Sequence, residues 1–525
     1  MRVVVVGSGP SGVTYARRMQ ELGHEVTVFE ANSEVGGRTR SIEFAGGSHP
    51  LGAAFDHHSE LEIPFSTGTR KVDLVTESEL LALDREGNDI TEGFVGMMTG
   101  AGEILSESLT NICSFFGREG ATSSDYKLAS EPETIVGVDT KIESPDEAQV
   151  YVGDGWSKAI KEASKDLADL RLNSPVSSIL VTEKAAVVTY TAADGAKSTI
   201  ECEHVHIAVP AAAMKHIKID GMDEEVREGV DSVLTTKSTR VLFEFPRGAI
   251  DSSTLNGKMN ALIDSREFGP LIIENQQEYD GTSNSIRVWL QSDGAELGDH
   301  ILETEGKEAL QEKLSSILTE HLKLPEATKA HTHSWQLDST AEGAWTSHHN
   351  RNMRMKTAKI EGRLSLSGDY MGFKCDTKGV CKDYSGTVHG AAISGVSQAE
   401  RTHAKSLGRV LSEDKSITTP FLMPGASAGE GAWQDRYAES LTEVGLEEFK
   451  PKDPNITSDL FAALALPVLA LAGFAACRRY CRSRENLRKT AREIGAGARD
   501  HTPTITPSKS KHRKRSKSGR GPILG

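Results

Sequence analysis

Val3-Val4-Val5-Val6-Gly7-Ser8-Gly9-Pro10-Ser11-Gly12 opens the chain with an apolar run that stops on a glycine-rich turn. A helix-forming stretch, Val13–Leu22, follows, and a second apolar run, Val26–Phe29, ends on Glu30. Strand, glycine turn, helix, strand and acid in this order form the dinucleotide-binding pattern of a Rossmann-like unit. Gly7 makes the tight turn, Gly9 lets the backbone approach a pyrophosphate, and Gly12 with Ala16 lets the helix lie close on the sheet. The first helical turn, which includes Ser11, carries the positive end of the helix dipole and suits phosphate. Glu30 is placed to bind a ribose hydroxyl.

Just beyond, Val35-Gly36-Gly37-Arg38-Thr39 adds features that a nicotinamide site does not need. Gly36, Gly37 and Arg38 suit a second approach of backbone and cation to the pyrophosphate. Far along the chain, Leu364–Tyr370 reads as a buried strand ending on Gly368 and Asp369. Ser385-Gly386-Thr387-Val388-His389-Gly390-Ala391 then leads into a helix running to about Leu407. Small residues at Gly390, Ala391, Ser394 and Gly395 let that helix N-terminus come close to a bulky planar ligand.

Together these motifs resemble the flavin amine oxidase superfamily, and Thr387–Ala391 is most similar to polyamine oxidases and flavin-type histone lysine demethylases. Landmarks between them match in order: Gly153-Asp154-Gly155-Trp156, Leu172–Ile179, His206–Pro210, and Trp335, Asp338, Ala341, Gly343, Ala344 and Trp345. The resemblance implies FAD held by Gly7, Gly9, Ser11, Gly12, Glu30, Gly36, Gly37 and Arg38. It places the backbone of Val176 at the adenine, Gly368 and Asp369 at the ribityl–pyrophosphate region, and Val388 against the flavin ring. The implied fold is α/β, with a Rossmann-like FAD-binding domain assembled from 1–60, 150–215 and 362–412. A mixed α/β substrate domain from 61–149 and 216–361 is interleaved with it.

The chemistry implied is oxidation of an amine C–N bond by hydride transfer to flavin N5, with O2 as acceptor and hydrogen peroxide as product. The cofactor carries the difficult step, so the protein has to orient an uncharged amine and exclude water. Trp345 and Thr387 occupy the positions of the family's aromatic cage. Arg240 stands where many members place a lysine near N5, and an arginine stays charged and does not relay a proton as lysine does. Ala344 replaces the cysteine that monoamine oxidases bond to the flavin, so FAD is expected to be noncovalent. Glu43–Leu51 resembles prenylcysteine oxidases, which makes thioether oxidation the alternative activity and His49 a candidate facing the flavin. A non-catalytic or chromatin-associated flavin-binding protein is a third reading, suggested by Arg240 and the basic tail.

The net charge of −15 conceals an asymmetry, because residues 478–525 carry fifteen Lys/Arg against three acids. The acidic remainder suits cationic substrates by long-range steering, although acidity also serves solubility alone. No nucleic acid is expected as a partner. Leu460–Cys477 is an uncharged run just long enough to cross a bilayer, and Arg478-Arg479 follows at once. The expected layout is therefore a linker over 413–459, a single transmembrane helix over 460–477 and a basic disordered tail over 478–525. The catalytic part is expected in the cytosol, on the mitochondrial outer, peroxisomal or endoplasmic reticulum membrane. With the first strand starting at residue 2, no signal peptide is expected.

Six cysteines show neither disulfide-framework nor metal spacing. Cys375 and Cys381 share a loop and can pair or sense redox state, and Cys477 and Cys481 are palmitoylation candidates. Periodicity predicts a helix over Glu303–Leu322 and a strand over Ser285–Gln291, and composition predicts an exposed loop over Ser123–Gln149.

Overall fold

The computed structural model describes residues 1–56, 69–71, 80–98, 106–109, 111–112, 150–152, 155–281, 283–348, 357, 362–375 and 381–408. Its first sheet has five parallel strands in the order Leu364–Leu366, His204–Ile207, Arg2–Val6 (β1), Glu25–Phe29 (β2) and Asp169–Arg171. Three distant stretches of chain thus meet in one sheet. The run Val3–Val6 is buried throughout, as a strand covered on both faces requires.

On one face lie the helix Pro10–Glu21 (α1), the helix Gly155–Ser164 and the helix Val388–Ser406, packed over Val3, Val5, Val13, Trp156, Val388 and Ala392. On the other, Val4, Val6, Ile207 and Leu366 pack against the sheet made by Val176–Val181, Ala186–Thr191, Lys197–Cys202 and Lys218–Asp220. The closest helix crossing is at Gly395. A Cβ there would lie 2.3 Å from the carbonyl oxygen of Ser11 and 2.4 Å from Thr14 Oγ1, so only glycine fits.

A second, six-stranded sheet runs Lys329–Ser334, Ser238–Glu244, Ser285–Gln291, Gly269–Asn275, Asn260–Ser265 and Leu80–Leu83. One face presents Val241, Phe243, Ile273, Val288 and Leu290 to helices Ser292–Thr304 and Lys307–Leu322. Alternation along a strand turns the neighbouring residues to the opposite face. The single helix expected over Glu303–Leu322 is in fact two. Gly306, at φ +94°, takes a conformation that no helix continues through, and it separates them.

The linker 413–459, the span 460–477, the tail 478–525, the loop 123–149, Gly153 and Asp154 lie outside the described residues. So does the second compact unit, Ala475–Gly525. No helix among the described residues is long and apolar enough to cross a membrane. Backbone register sets Cys375 opposite Cys381 in a short hairpin, and Cys202 is a buried free thiol.

Candidate functional site

The carboxyl ends of β1 and β2 gather the first group of predicted residues. Gly7, at φ +99°, donates its N–H to the Phe29 carbonyl at 2.8 Å and closes the turn onto β2. At Gly12 a Cβ would sit 2.0 Å from the Gly7 carbonyl oxygen, so the helix can start this close to the strand only with glycine. Gly9 is the N-cap of α1, Pro10 starts the helix, no side chain caps it and no acid occupies its first turn. Its N-terminal N–H groups are therefore open to an external anion. Opposite stand Gly36 and Gly37, both at positive φ, with the Gly36 N–H bonded to the Ser8 carbonyl at 3.0 Å. A Cβ on Gly9 would meet only the Gly36 carbonyl, at 4.0 Å, which leaves a backbone-lined cradle between the two glycine turns. Such a cradle fits the pyrophosphate of a dinucleotide.

Glu30 is buried and fully engaged. Its Oε2 accepts from the Ser8 N–H (2.9 Å) and hydroxyl (2.7 Å), and its Oε1 accepts from the backbone N–H and side-chain amide of Asn32, both at 2.9 Å. A ribose hydroxyl would have to replace the Ser8 hydroxyl or the Asn32 amide to bond there. The chain returns beside it, with the Ser174 N–H on the Glu30 carbonyl at 2.7 Å. That contact brings Val176, the first residue of its strand, to the same end of the cradle.

Arg38 and Asp369 meet across the whole sequence. Arg38 Nη2 donates to Asp369 Oδ1, and Arg38 Nη1 donates to the Ala344 carbonyl at 3.1 Å. Asp369 Oδ2 accepts from the Thr346 N–H (2.9 Å) and hydroxyl (3.0 Å). Gly368 is extended, and its N–H donates to Ser394 Oγ at 3.1 Å. Ser11 Oγ lies 2.5 Å from Ser367 Oγ, which ties α1 to the distal strand end. Val388 is buried at the start of its helix, in the same cluster as Trp156, whose ring stands edge-on to His389 at 5.5 Å.

Of the two cage positions, Thr387 is the N-cap of that helix. Its hydroxyl accepts from the Gly390 N–H at 3.0 Å and donates to the Tyr384 carbonyl at 2.7 Å. Trp345 is half-buried and packs against Leu51, Leu242, Trp335, Ala341 and Ala344. Gly386, at φ +77°, brings the two together, since a Cβ on it would lie 3.2 Å from Trp345 Cδ1.

Arg240 is 3% exposed on the inner face of the six-stranded sheet. Its guanidinium lies 3.7 Å over the Trp289 ring, and its Nη1 donates to the Pro50 carbonyl at 3.4 Å. Sequence reasoning missed its company. Arg287 is fully buried beside it, donating from Nε to Glu274 Oε2 and from Nη1 to the same Pro50 carbonyl at 2.6 Å. Trp289 Nε1 also donates to Glu274 Oε2, at 3.1 Å. Burial presses against the charge on Arg240, Arg287 adds repulsion and Glu274 opposes both. An arginine keeps its proton under such pressure. The available signal was the period of two in Ile286-Arg287-Val288-Trp289-Leu290-Gln291, where one face of an otherwise apolar strand is polar. His49 is buried between Phe44 and Gln276, 3.4 Å from Gln276 Oε1, in the hairpin Ser41–Phe44 with Gly47–Pro50.

Comparison with known proteins agrees with this geometry. The model of flavin containing amine oxidoreductases matches residues 146–403, and that of an NAD(P)-binding Rossmann-like domain matches 5–61. A flavin-dependent L-tryptophan oxidase (RebO) of Lentzea aerocolonigenes is 21% identical over 446 residues, covering 70% of this chain and 93% of that protein. A 4,4'-diapophytoene desaturase of Staphylococcus aureus is 41% identical over 54 residues, 10% of this chain and 11% of that protein.

Proposed function

We propose, on the premise that this chain is an FAD-dependent oxidoreductase of the flavin-containing amine oxidoreductase family, that it oxidises the C–N bond of a small amine with O2 as acceptor. The amine loses two electrons and two protons to become an imine, O2 becomes hydrogen peroxide, and water then hydrolyses the imine. When bound, FAD supplies the N5 that accepts the hydride.

The chain's own residues supply binding, orientation and dryness. Gly7, Gly9, Ser11 and Gly12 on one side, and Gly36, Gly37 and Arg38 on the other, would hold the pyrophosphate. Glu30 and the backbone of Val176 would hold the adenosine end, while Gly368, Asp369 and Val388 would hold the ribityl chain and ring. Ala344 offers no thiol, so the cofactor is held noncovalently. Trp345 would stand at the substrate, with Leu51, Trp335 and Ala344 behind it excluding water. Thr387 acts by fixing the helix N-terminus beside it.

The observation that carries this reading is the meeting of Trp345 with Gly386–Thr387 directly beside the Arg38–Asp369 pair. With Trp345 at the substrate and Asp369 at the cofactor, as proposed, the two positions would adjoin. Anaerobic mixing with polyamines, monoamines, N-methyl-lysine peptides, L-amino acids and prenylcysteine tests it by bleaching of the flavin's visible band. Bleaching by an amine is expected. Bleaching by the thioether alone would move the protein to the prenylcysteine activity, which the Glu43–Leu51 hairpin favours. A further part of the proposal is a membrane tether at 460–477, carried by its lack of charge, with the catalytic part in the cytosol. Release of the protein from membranes by alkaline carbonate would overturn the tether.

A further inference from the structure

On the face of the six-stranded sheet turned away from its two helices, two buried arginines stand beside one carboxylate. Register places Arg240 opposite Trp289, and Arg287 opposite both Leu242 and Glu274, so all five side chains share that face. Glu274 neutralises Arg287 through Nε. Arg240 has a carbonyl at 3.4 Å and an indole face, and its buried Nε has no hydrogen-bond partner. Among the described residues no carboxylate lies within ion-pairing distance of it. Its strand neighbour across the register is His333, which burial holds neutral down to about pH 4. The next acid, Asp338, is paired with Arg40.

A buried guanidinium whose nearest carboxylate is already ion-paired with a second arginine is destabilised unless another anion meets it. Its position says which anion. Leu242, two residues along the same face, packs in the cluster that Trp345 joins, and Pro50 adjoins Leu51 of that cluster. Arg240 therefore borders the place proposed for the substrate. We propose that Arg240 binds a carboxylate of the substrate. Resting on the amine-oxidase proposal, the site then takes an amine that also carries a carboxylate, as an amino acid does. A polycationic amine would meet a like charge that Glu274, ion-paired with Arg287, offsets only in part. The guanidinium plane offers two parallel N–H groups, which match a carboxylate and would fix the substrate next to the carbon that reacts.

The test uses the full chain with its FAD. Benzoate and its neutral counterpart benzyl alcohol are titrated against the flavin's visible spectrum in the parent, Arg240→Lys and Arg240→Met. Methionine keeps the stem on Trp289 and removes only the charge, and Lys restores a point charge if folding is in question. Benzoate is expected to perturb the parent spectrum, and its affinity should fall at least about tenfold in Arg240→Met, the loss of one charge-assisted contact. It should recover in part in Arg240→Lys, with benzyl alcohol unchanged. Equal benzoate affinity in the parent and Arg240→Met, or no perturbation at all, overturns the proposal. A changed flavin potential in Arg240→Met with unchanged benzoate affinity also overturns it, assigning the charge to the cofactor. A matched pair, phenylalanine and phenethylamine, then separates the two proposals under anaerobic conditions. If phenethylamine reduces the flavin as fast as phenylalanine, carboxylate recognition fails and amine oxidation stands. If neither these two nor any amine of the wider panel reduces it while benzoate binding depends on Arg240, amine oxidation fails and the carboxylate site stands.

Discussion

In the parallel sheet, His204 and His206 are buried and joined by neutral hydrogen bonds. Ser365 Oγ lies 2.8 Å from a ring nitrogen of each, His206 Nε2 lies 2.6 Å from Ser367 Oγ, and Ser367 reaches Ser11 at 2.5 Å. Tyr15 stacks flat on His206 at 3.5 Å. In the six-stranded sheet, Arg240 and Arg287 are buried as charges with one carboxylate, Glu274, between them. Both sheets hide polar groups: in the first, two histidines and their serines bond to one another as neutral groups, and in the second, two guanidinium groups stand beside one carboxylate. A closed neutral network stiffens a scaffold, whereas an open charged one costs stability and is found where a ligand completes it.

The sharpest way to break this contrast is to remove the shared carboxylate. Glu274→Gln removes the carboxylate ion-paired with Arg287 and is expected to cost about 3–5 kcal/mol in denaturant unfolding. Arg240→Met removes the surplus charge, so its expected effect has the opposite sign and raises the Tm. Loss of stability in both variants would mean that Arg240 is already compensated. The neutral network is tested by pH. Burial is the main cause holding the His204 pKa down at about 3, with Lys405 and Arg363 adding to it. His206 is likewise held well below the usual histidine value, by burial first and then by His204. With folded values below the unfolded one, the unfolded chain binds more protons as pH falls. Stability is therefore full above the unfolded pKa of about 6.5 and is lost as pH falls below it, for His204 by about 2 kcal/mol at pH 5, with His206 acting in the same direction. His204→Gln should lose correspondingly less between pH 7 and pH 5 in urea titrations, and an unchanged pH dependence would contradict a buried neutral His204. The smallest effect belongs to Thr387. Losing an N-cap costs about 1 kcal/mol, so Thr387→Ala should lower the Tm slightly and still bind FAD. Abolished turnover at full FAD occupancy would instead assign Thr387 a direct part in the chemistry.

The nucleotide lobe was legible because its signals are local. Gly7, Gly9 and Gly12 act within one turn, and their reasons, a positive φ and a 2.0 Å clash, follow from backbone geometry alone. The distal motif was legible in the same way, through Gly368 and the small residues from Gly390 to Gly395. The capping role of Thr387, expected at a cage position, was not read from the sequence, although a threonine just before a helix has a backbone N–H within reach of its hydroxyl. The break at Gly306 was missed because apolar periodicity continues on both sides of it and hides one positive φ.

The sequence by itself determined the Rossmann-like start, the glycine turns and the Gly-Asp strand end, since each depends on residues a few positions apart. Only the tertiary structure decided that Arg38 pairs with Asp369, and that Arg240, Arg287, Glu274 and Pro50 converge on one buried face. The physical reason is that charge balance in a low-dielectric interior sums over every neighbour in space. Strand register brings those neighbours together from stretches that carry no mark of one another.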